Sequence, residues 1–307
     1  MSKREFQTPR LGRIMSFVLL CMCGPAWSQV VCTWVADGAG NWSDPANWSD
    51  AHLPVAGDTV VIDRAGARVS LGAAAPAAGR FASVTLGSAA ALSFTGWETA
   101  LAADGITIVP NAVVSHAGCA TNVVPSNTNR VWLVCSNMTI DAGGAIDVSG
   151  CGYTNVNLAV TGWGQGPGGG YACAGAGHGG VGGTPRYGNT IPGYYYHIPG
   201  GINGVAAEPE HPGSAGGSHG YTGSRGGSGG GAVRIEAGGG VVVNGMIAAN
   251  GLDSYAGNST GLGGGGSGGS VWITCGTIAG SGAISAEGGR GGGKNSGSGG
   301  GGGKHGG

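Results

Sequence analysis

Three stretches of about 20 residues share one plan: VWLVCSNMTIDAGGAIDVSG (131–150), AVRIEAGGGVVVNGMIAANG (232–251) and SVWITCGTIAGSGAISAEGG (270–289). Each reads as a strand, a glycine turn, a short strand and then Ile-x-Ala/Val-x-Gly. The second lies over the first without a gap, the third with a small one. A unit this short cannot bury an apolar face alone and gains a core only by stacking on its neighbours, so the repeat predicts a solenoid. Ile146, Ile247 and Ile284 are expected to form an inward ladder on successive rungs. Val148, Ala249 and Ala286, two positions on, face the same way because strand side chains have period two.

A glycine tract follows every unit: residues 151–231, 252–269 and 290–307. The tracts are expected to leave the stack at one corner of each turn and so to share a face, which in solenoids is often the binding face. With 72 glycines in 307 residues, two readings stand. A Gly/Ser-rich segment without selectable side chains is a flexible linker. Alternatively, Gly217, Gly220, Gly223, Gly226 and Gly229 recur at every third position, as a packed bundle of extended three-per-turn helices requires. Proline is absent between them, which excludes collagen.

Upstream, strand-length β-branched runs recur at Val69–Leu71, Phe81–Leu86, Ala91–Phe94, Ile106–Val109 and Val113–Ser115, with no helical apolar stripe. The chain therefore reads as all-β. Short strands also suit a sandwich or barrel; the internal repeat decides for the solenoid. Disorder is a poor account of a chain that is 41% hydrophobic with net charge −1. The same near-neutrality supplies no basic patch for nucleic acid or an anionic membrane.

Residues 1–28 have the order of a signal peptide: Lys3, Arg4, Arg10 and Arg13, then apolar Ile14–Cys23, then Ala26-Trp27-Ser28 before Gln29. The apolar run falls short of the roughly 20 residues that span a bilayer. Leu20 and Met22 stand where a lipoprotein signal at Cys21 or Cys23 would carry a small residue. The expected location is extracellular or at the cell surface. Six cysteines remain, Cys32, Cys119, Cys135, Cys151, Cys173 and Cys275, an even number that permits disulfides in an exported chain. Cys135 and Cys275 fall within strand runs, where a buried thiol packing as a small hydrophobe is the alternative.

Residues 29–67 place Trp34, Trp42 and Trp48 among turn residues. The three rings form either a sugar-stacking platform or the core of a cap; the cap is favoured, because tryptophan is highly buried on average and a solenoid end must be covered. The pattern W-x-x-x-G-x-G-x-W-x-x-x-x-N-W followed by P-x-x-G-D-x-V-x-I stands here as Trp34, Gly38, Gly40, Trp42, Asn47, Trp48, Pro54, Gly57, Asp58, Val60 and Ile62. It resembles the unit that opens many bacterial surface and autotransporter-type β-helix proteins. The resemblance, over about thirty residues, implies a right-handed parallel β-helix and names no activity. The chain departs from the autotransporter pattern in having no C-terminal series of amphipathic strands for an outer-membrane barrel.

The organisation expected is thus a cap (29–67), a first β-helix part (68–150), a glycine-rich insertion (151–231), a second β-helix part (232–289) and a glycine-rich tail (290–307). Within the insertion, His178, His197, His211 and His219 are metal-ligand types whose spacing does not itself force a site. Tyr194, Tyr195 and Tyr196 are placed either to pin the insertion to the wall or, with the tryptophans, to contact a ligand. Asp141, Asp147, Arg234, Glu236 and Glu287 fall on rungs without forming an acid/base pair, and glycine clusters lack the Lys-Ser/Thr of a phosphate loop. The expectation is an exported, non-enzymatic surface or matrix protein without cofactor, whose partners are extracellular polysaccharide, matrix or its own copies. A carbohydrate-binding or polysaccharide-cleaving β-helix protein and a fragment of a larger adhesin are the alternatives.

Overall fold

The structure, a computed structural model, describes residues 29–87, 89–119, 129–154, 162–185, 197–204, 207–219, 224–255 and 263–292. The signal-like segment and Tyr194–Tyr196 lie outside these residues. Among the described residues sixteen strands succeed one another: β1 Val31–Thr33, β2 Ala39–Asn41, β3 Thr59–Ile62, β4 Arg68–Leu71, β5 Phe81–Leu86, β6 Ala91–Phe94, β7 Leu101–Ile108, β8 Val113–His116, β9 Val131–Ile140, β10 Ala145–Asp147, β11 Ala232–Ala237, β12 Gly240–Val243, β13 Met246–Ala248, β14 Ser270–Thr274, β15 Thr277–Ala279 and β16 Ala283–Ser285. They form two wholly parallel sheets. One has the order β1-β3-β5-β7-β9-β11-β14, with β12 beside the second half of β9 and β15 beside β12; the other runs β16-β13-β10-β8-β6-β4-β2. The chain thus alternates between the sheets, adding a rung to each as it advances.

In-register apolar ladders hold the rungs together. Ile62, Leu86, Ile108, Ile140 and Val243 are aligned neighbours across the first sheet, and all are buried. In the second sheet Val69, Leu92, Val114, Ile146, Ile247 and Ile284 follow one another. The expected isoleucine ladder is therefore present in register, with one correction: Ile146 and Ile247 are buried, but Ile284 is 46% exposed. It stands on the outermost described rung, where no further strand covers it. The ungapped alignment of 131–150 with 232–251 also needs correcting in its first half, since Val131 pairs with Val233 and Met138 with Val241.

The glycine tracts do not project as separate loops. Among the described residues they lie against one another as extended segments joined by backbone hydrogen bonds at every third residue. Gly264 and Ser267 donate to Gly217 and Ser214, Gly266 and Gly269 donate to Leu252 and Ala249, and the carbonyls of Gly264 and Ser267 accept from Gly227 and Gly230. Successive N–H groups thus point to different neighbours, the geometry of a three-per-turn extended helix with no bonds of its own. Residues 212–219 and 263–270 are buried throughout, and a Cβ added at Gly216, Gly226, Gly264 or Gly266 would fall on a neighbouring main chain. Among the described residues the tracts pack as the bundle reading expects, while Gly220 and Gly223 of the three-residue period lie outside them.

Where the insertion ends, His116, on β8 with Phe94 as its register neighbour, is bonded to the first residue of β11. One ring nitrogen lies 2.7 Å from the Ala117 carbonyl, and the other accepts from the Ala232 amide at 3.0 Å. That assigns the neutral Nδ1–H tautomer, and burial pushes the imidazole down to about 4 against the opposing pull of the Ala117 bond. All six cysteines in the described residues are free thiols. Cys135 is fully buried and burial pushes its thiol up to about 11, as suits a small hydrophobe.

Candidate functional site

The tryptophan region forms a closed core. Trp34, Trp42 and Trp48 are 1%, 5% and 1% exposed, and Trp48 meets the other two edge to face at 5.1 and 4.8 Å. Their N–H groups are used internally: Trp48 Nε1 donates to the Trp42 carbonyl and Trp34 Nε1 to that of Ala36. Gly40 has no room for a side chain beside Asn47 and Trp34, and Gly57 has φ +91°. Trp34, Trp42, Trp48, Gly40 and Asn47 thus have packing reasons and Gly57 a conformational one, and the edge of Trp42 also meets the groove beside this core. Beside this core runs an apolar groove of about 700 Å³ between Leu53–Ala56 and Ala73–Ala78. It lacks the convergent polar groups of a reaction site.

The four histidines singled out as metal ligands are not gathered around one point. His178 lies between Asn203 and Ser270, 2.9 Å from each, and the Ser270 hydroxyl donates in turn to the His211 carbonyl. Burial lowers the His178 pKa, with the neighbouring His211 charge adding to the effect against the Asn203 bond. His197 bonds the Ala172 carbonyl. Burial, and then the charge of His197, lowers His219. Of these side chains, His178 ties the insertion to β14 through Ser270.

The densest polar constellation is one that sequence reasoning missed. On the outer side of the first sheet, Trp132, Arg234 and Trp272 are direct register neighbours on β9, β11 and β14. The Arg234 guanidinium sits over Trp132 at 5.0 Å and over Trp272 at 4.7 Å; Arg130 lies 4.4 Å from Trp132 and 4.5 Å from Trp97. The result is a ladder Trp97–Arg130–Trp132–Arg234–Trp272, each cation over an aromatic face. Three carboxylates neutralise it. Arg234 Nε donates to Glu236 at 2.6 Å and its Nη1 to Glu210 at 3.1 Å, while Arg130 faces Glu98 at 3.5 Å and Glu210 at 4.0 Å. Glu236 also accepts from Trp132 Nε1.

Arg130 is 3% exposed. Burial lowers its pKa, and Glu98, Glu210 and Glu236 oppose that effect. Because Glu210 and His211 belong to the insertion, and His211 stacks on Trp97 at 6.3 Å, the ladder also pins the insertion to the wall. Its signal in the sequence is V-W-L, V-R-I and V-W-I at the same place on three strands; aligning Val131 with Ala232 sets Trp132 opposite Val233 and hides it. Both faces of Trp132 are occupied, whereas Trp272 stands on the outermost described strand with Arg234 on one side only. A depression of about 380 Å³, lined by Arg80, Arg234, Glu236 and Thr274, opens beside Arg234.

Neither protein-family models, nor curated proteins, nor solved structures gave any match to this chain. No helix among the described residues is long and apolar enough to cross a membrane.

Proposed function

We propose that the chain is an exported, non-enzymatic structural protein of the cell surface or extracellular matrix. It is built as a right-handed parallel β-helix under a tryptophan cap, of the type that opens bacterial surface and autotransporter-type proteins. The observation that supports this best is where its polar groups are spent. Among the described residues, the dense cluster of charged side chains is neutralised within a ladder running along the stack, and the glycine tracts are bonded to one another through their amides. The product is a wall of parallel strands joined to a packed glycine bundle, suited to lying against polysaccharide, matrix or a second copy. The test is to probe the purified chain against glycan and matrix arrays, with sedimentation for self-association. Retention on a polymer or concentration-dependent association is expected, while release of reducing ends from any polysaccharide bound would overturn the non-enzymatic reading.

A second reading, carbohydrate binding at the ladder, is favoured by the one-sided stacking of Trp272 beside Arg234, Glu236 and the depression. Flat indole faces flanked by charged hydrogen-bonding groups suit a sugar ring. On that reading Trp272→Ala abolishes glycan retention while the far-ultraviolet spectrum stays unchanged.

A further inference from the structure

Cys32 on β1, His52 at the end of the 3₁₀ turn Ser49–Ala51 and Asp58 just before β3 converge beneath the tryptophan core. Their ligand atoms all lie within 4.8 Å of one another. Asp58 Oδ2 is the hub: the Cys32 thiol donates to it at 3.5 Å, His52 Nε2 lies 3.2 Å away, and the Val55 amide donates at 2.9 Å. Cys32 is fully buried, Asp58 is nearly so, and the imidazole is 41% exposed, so the cluster opens to solvent only on its histidine side.

The separations bear on what such a cluster can hold. Zinc takes sulfur at about 2.3 Å and nitrogen or carboxylate oxygen at about 2.0–2.2 Å in a tetrahedron, which sets its ligand atoms about 3.3–3.7 Å apart. The two contacts around Asp58 already span 3.5 and 3.2 Å. A thiol, an imidazole and a carboxylate from three separate places in the chain form a borderline-soft donor set, and this favours zinc-class ions over calcium or magnesium. The Val55 amide bond holds the carboxylate in place, as an outer partner does in metal centres.

We propose that Cys32 Sγ, His52 Nε2 and Asp58 Oδ2 form a three-ligand site for a zinc-class dication, with a fourth position for water on the exposed side of His52. The ion replaces the protons that now bridge sulfur, nitrogen and oxygen. The thiol releases its proton to solvent, and His52 binds through the Nε2 lone pair with its ring proton on Nδ1, so loading liberates the thiol proton. The site would clamp β1, the 49–58 loop and the start of β3, and so tie the cap to the first rungs.

The test is cobalt(II) titration of the full, reduced chain. The expected result is one equivalent bound, with a thiolate-to-cobalt charge-transfer band and tetrahedral ligand-field absorption, both removed by zinc. Cys32→Ser should lose the charge-transfer band. His52→Ala, a change at a half-exposed side chain that leaves the core intact, should weaken zinc roughly a hundredfold or more, beyond the tenfold to hundredfold that losing an outer partner costs. Should Cys32→Ser fail to fold, His52→Ala decides alone. Absence of binding, octahedral cobalt spectra without a thiolate band, or bands that survive in both folded variants would overturn the proposal.

Discussion

The strand stack and the glycine bundle both bury a continuous backbone, by opposite means. In the stack, main-chain groups are satisfied in the plane of two sheets, and side chains such as Ile62, Leu86, Ile108 and Ile140 fill the space between them. In the bundle the space is closed by removing side chains. Segments 212–219 and 263–270 approach so closely that each extended chain bonds to several neighbours around its axis. Burial of an apolar side chain stabilises by about 1.5–3 kcal/mol, whereas a buried backbone hydrogen bond gives a net of about 1 kcal/mol but costs more than that if left unmade. The stack can therefore absorb local damage, while the bundle depends on every segment being present.

The largest expected effect tests that dependence. Replacing Gly152–Gly230 with a short Gly/Ser linker removes the carbonyls of Ser214 and Gly217 that Ser267 and Gly264 need, along with Gly227 and Gly230. It also removes Glu210 from the ladder. In the sequence the insertion reads as a tract that leaves the stack at one corner, but these bonds predict that its loss unravels β11–β16 and leaves the earlier rungs folded. Limited proteolysis should then cut freely beyond residue 231, and a shortened chain protected over its whole length would break the comparison. Within the stack, Ile247→Asp puts an unpaired charge between Ile146 and Ile284 and should cost about 4 kcal/mol in chemical denaturation.

The next effect lies at the joint between the regions. The buried His116 has a folded pKa of about 4 against an ordinary 6.5, caused chiefly by burial. Between those values the unfolded chain holds more protons than the folded one, so stability falls as pH falls. The contribution is complete above pH 6.5 and is lost progressively as pH drops to about 4, a total of roughly 3 kcal/mol. His178 and His219 shift in the same direction. In His116→Gln the amide can keep both hydrogen bonds without titrating, so melts between pH 7 and 4 should show a shallower decline than wild type.

The smallest effect is the most diagnostic, because its sign differs between a packed bundle and a loose loop. Gly266→Ala places a Cβ on the Ser228 carbonyl and should destabilise by about 1–3 kcal/mol. In a flexible linker the same change would gain about 0.4–1 kcal/mol by stiffening the unfolded chain. Gly201→Ala, where nothing lies within 4 Å, should stay within about 0.5 kcal/mol of wild type. Thermal melts of the pair decide the matter.

What could be read beforehand follows from which signals live in side chains. Strand runs such as Phe81–Leu86 and Ala91–Phe94 and the Ile146–Ile247–Ile284 register were legible, because burial imposes period two on β-branched residues. The first half of β7, LAADG, was not, since alanine, aspartate and glycine carry little strand preference and pairing with β5 and β9 decides their conformation. The Trp132–Arg234–Trp272 line was concealed by a one-residue slip in register. The order of the bundle rests on main-chain bonds, which composition does not encode beyond the three-residue period at 217–229. Asn250 makes the same point: at a turn it looks tolerant, yet its amide donates to Ser285 and accepts from Glu287, locking two rungs.

The near absence of side chains inside the bundle also sets how the molecule answers to temperature. Exposure of apolar surface raises the heat capacity of unfolding and exposure of polar surface lowers it, so apolar burial loses its driving force on cooling. The stack, filled with Ile, Leu, Val and Phe, follows that curve. The bundle buries mostly amide groups, so its heat-capacity change per residue is smaller and its stability profile flatter. As the protein is cooled, the glycine bundle therefore loses less of its stability than the stack does.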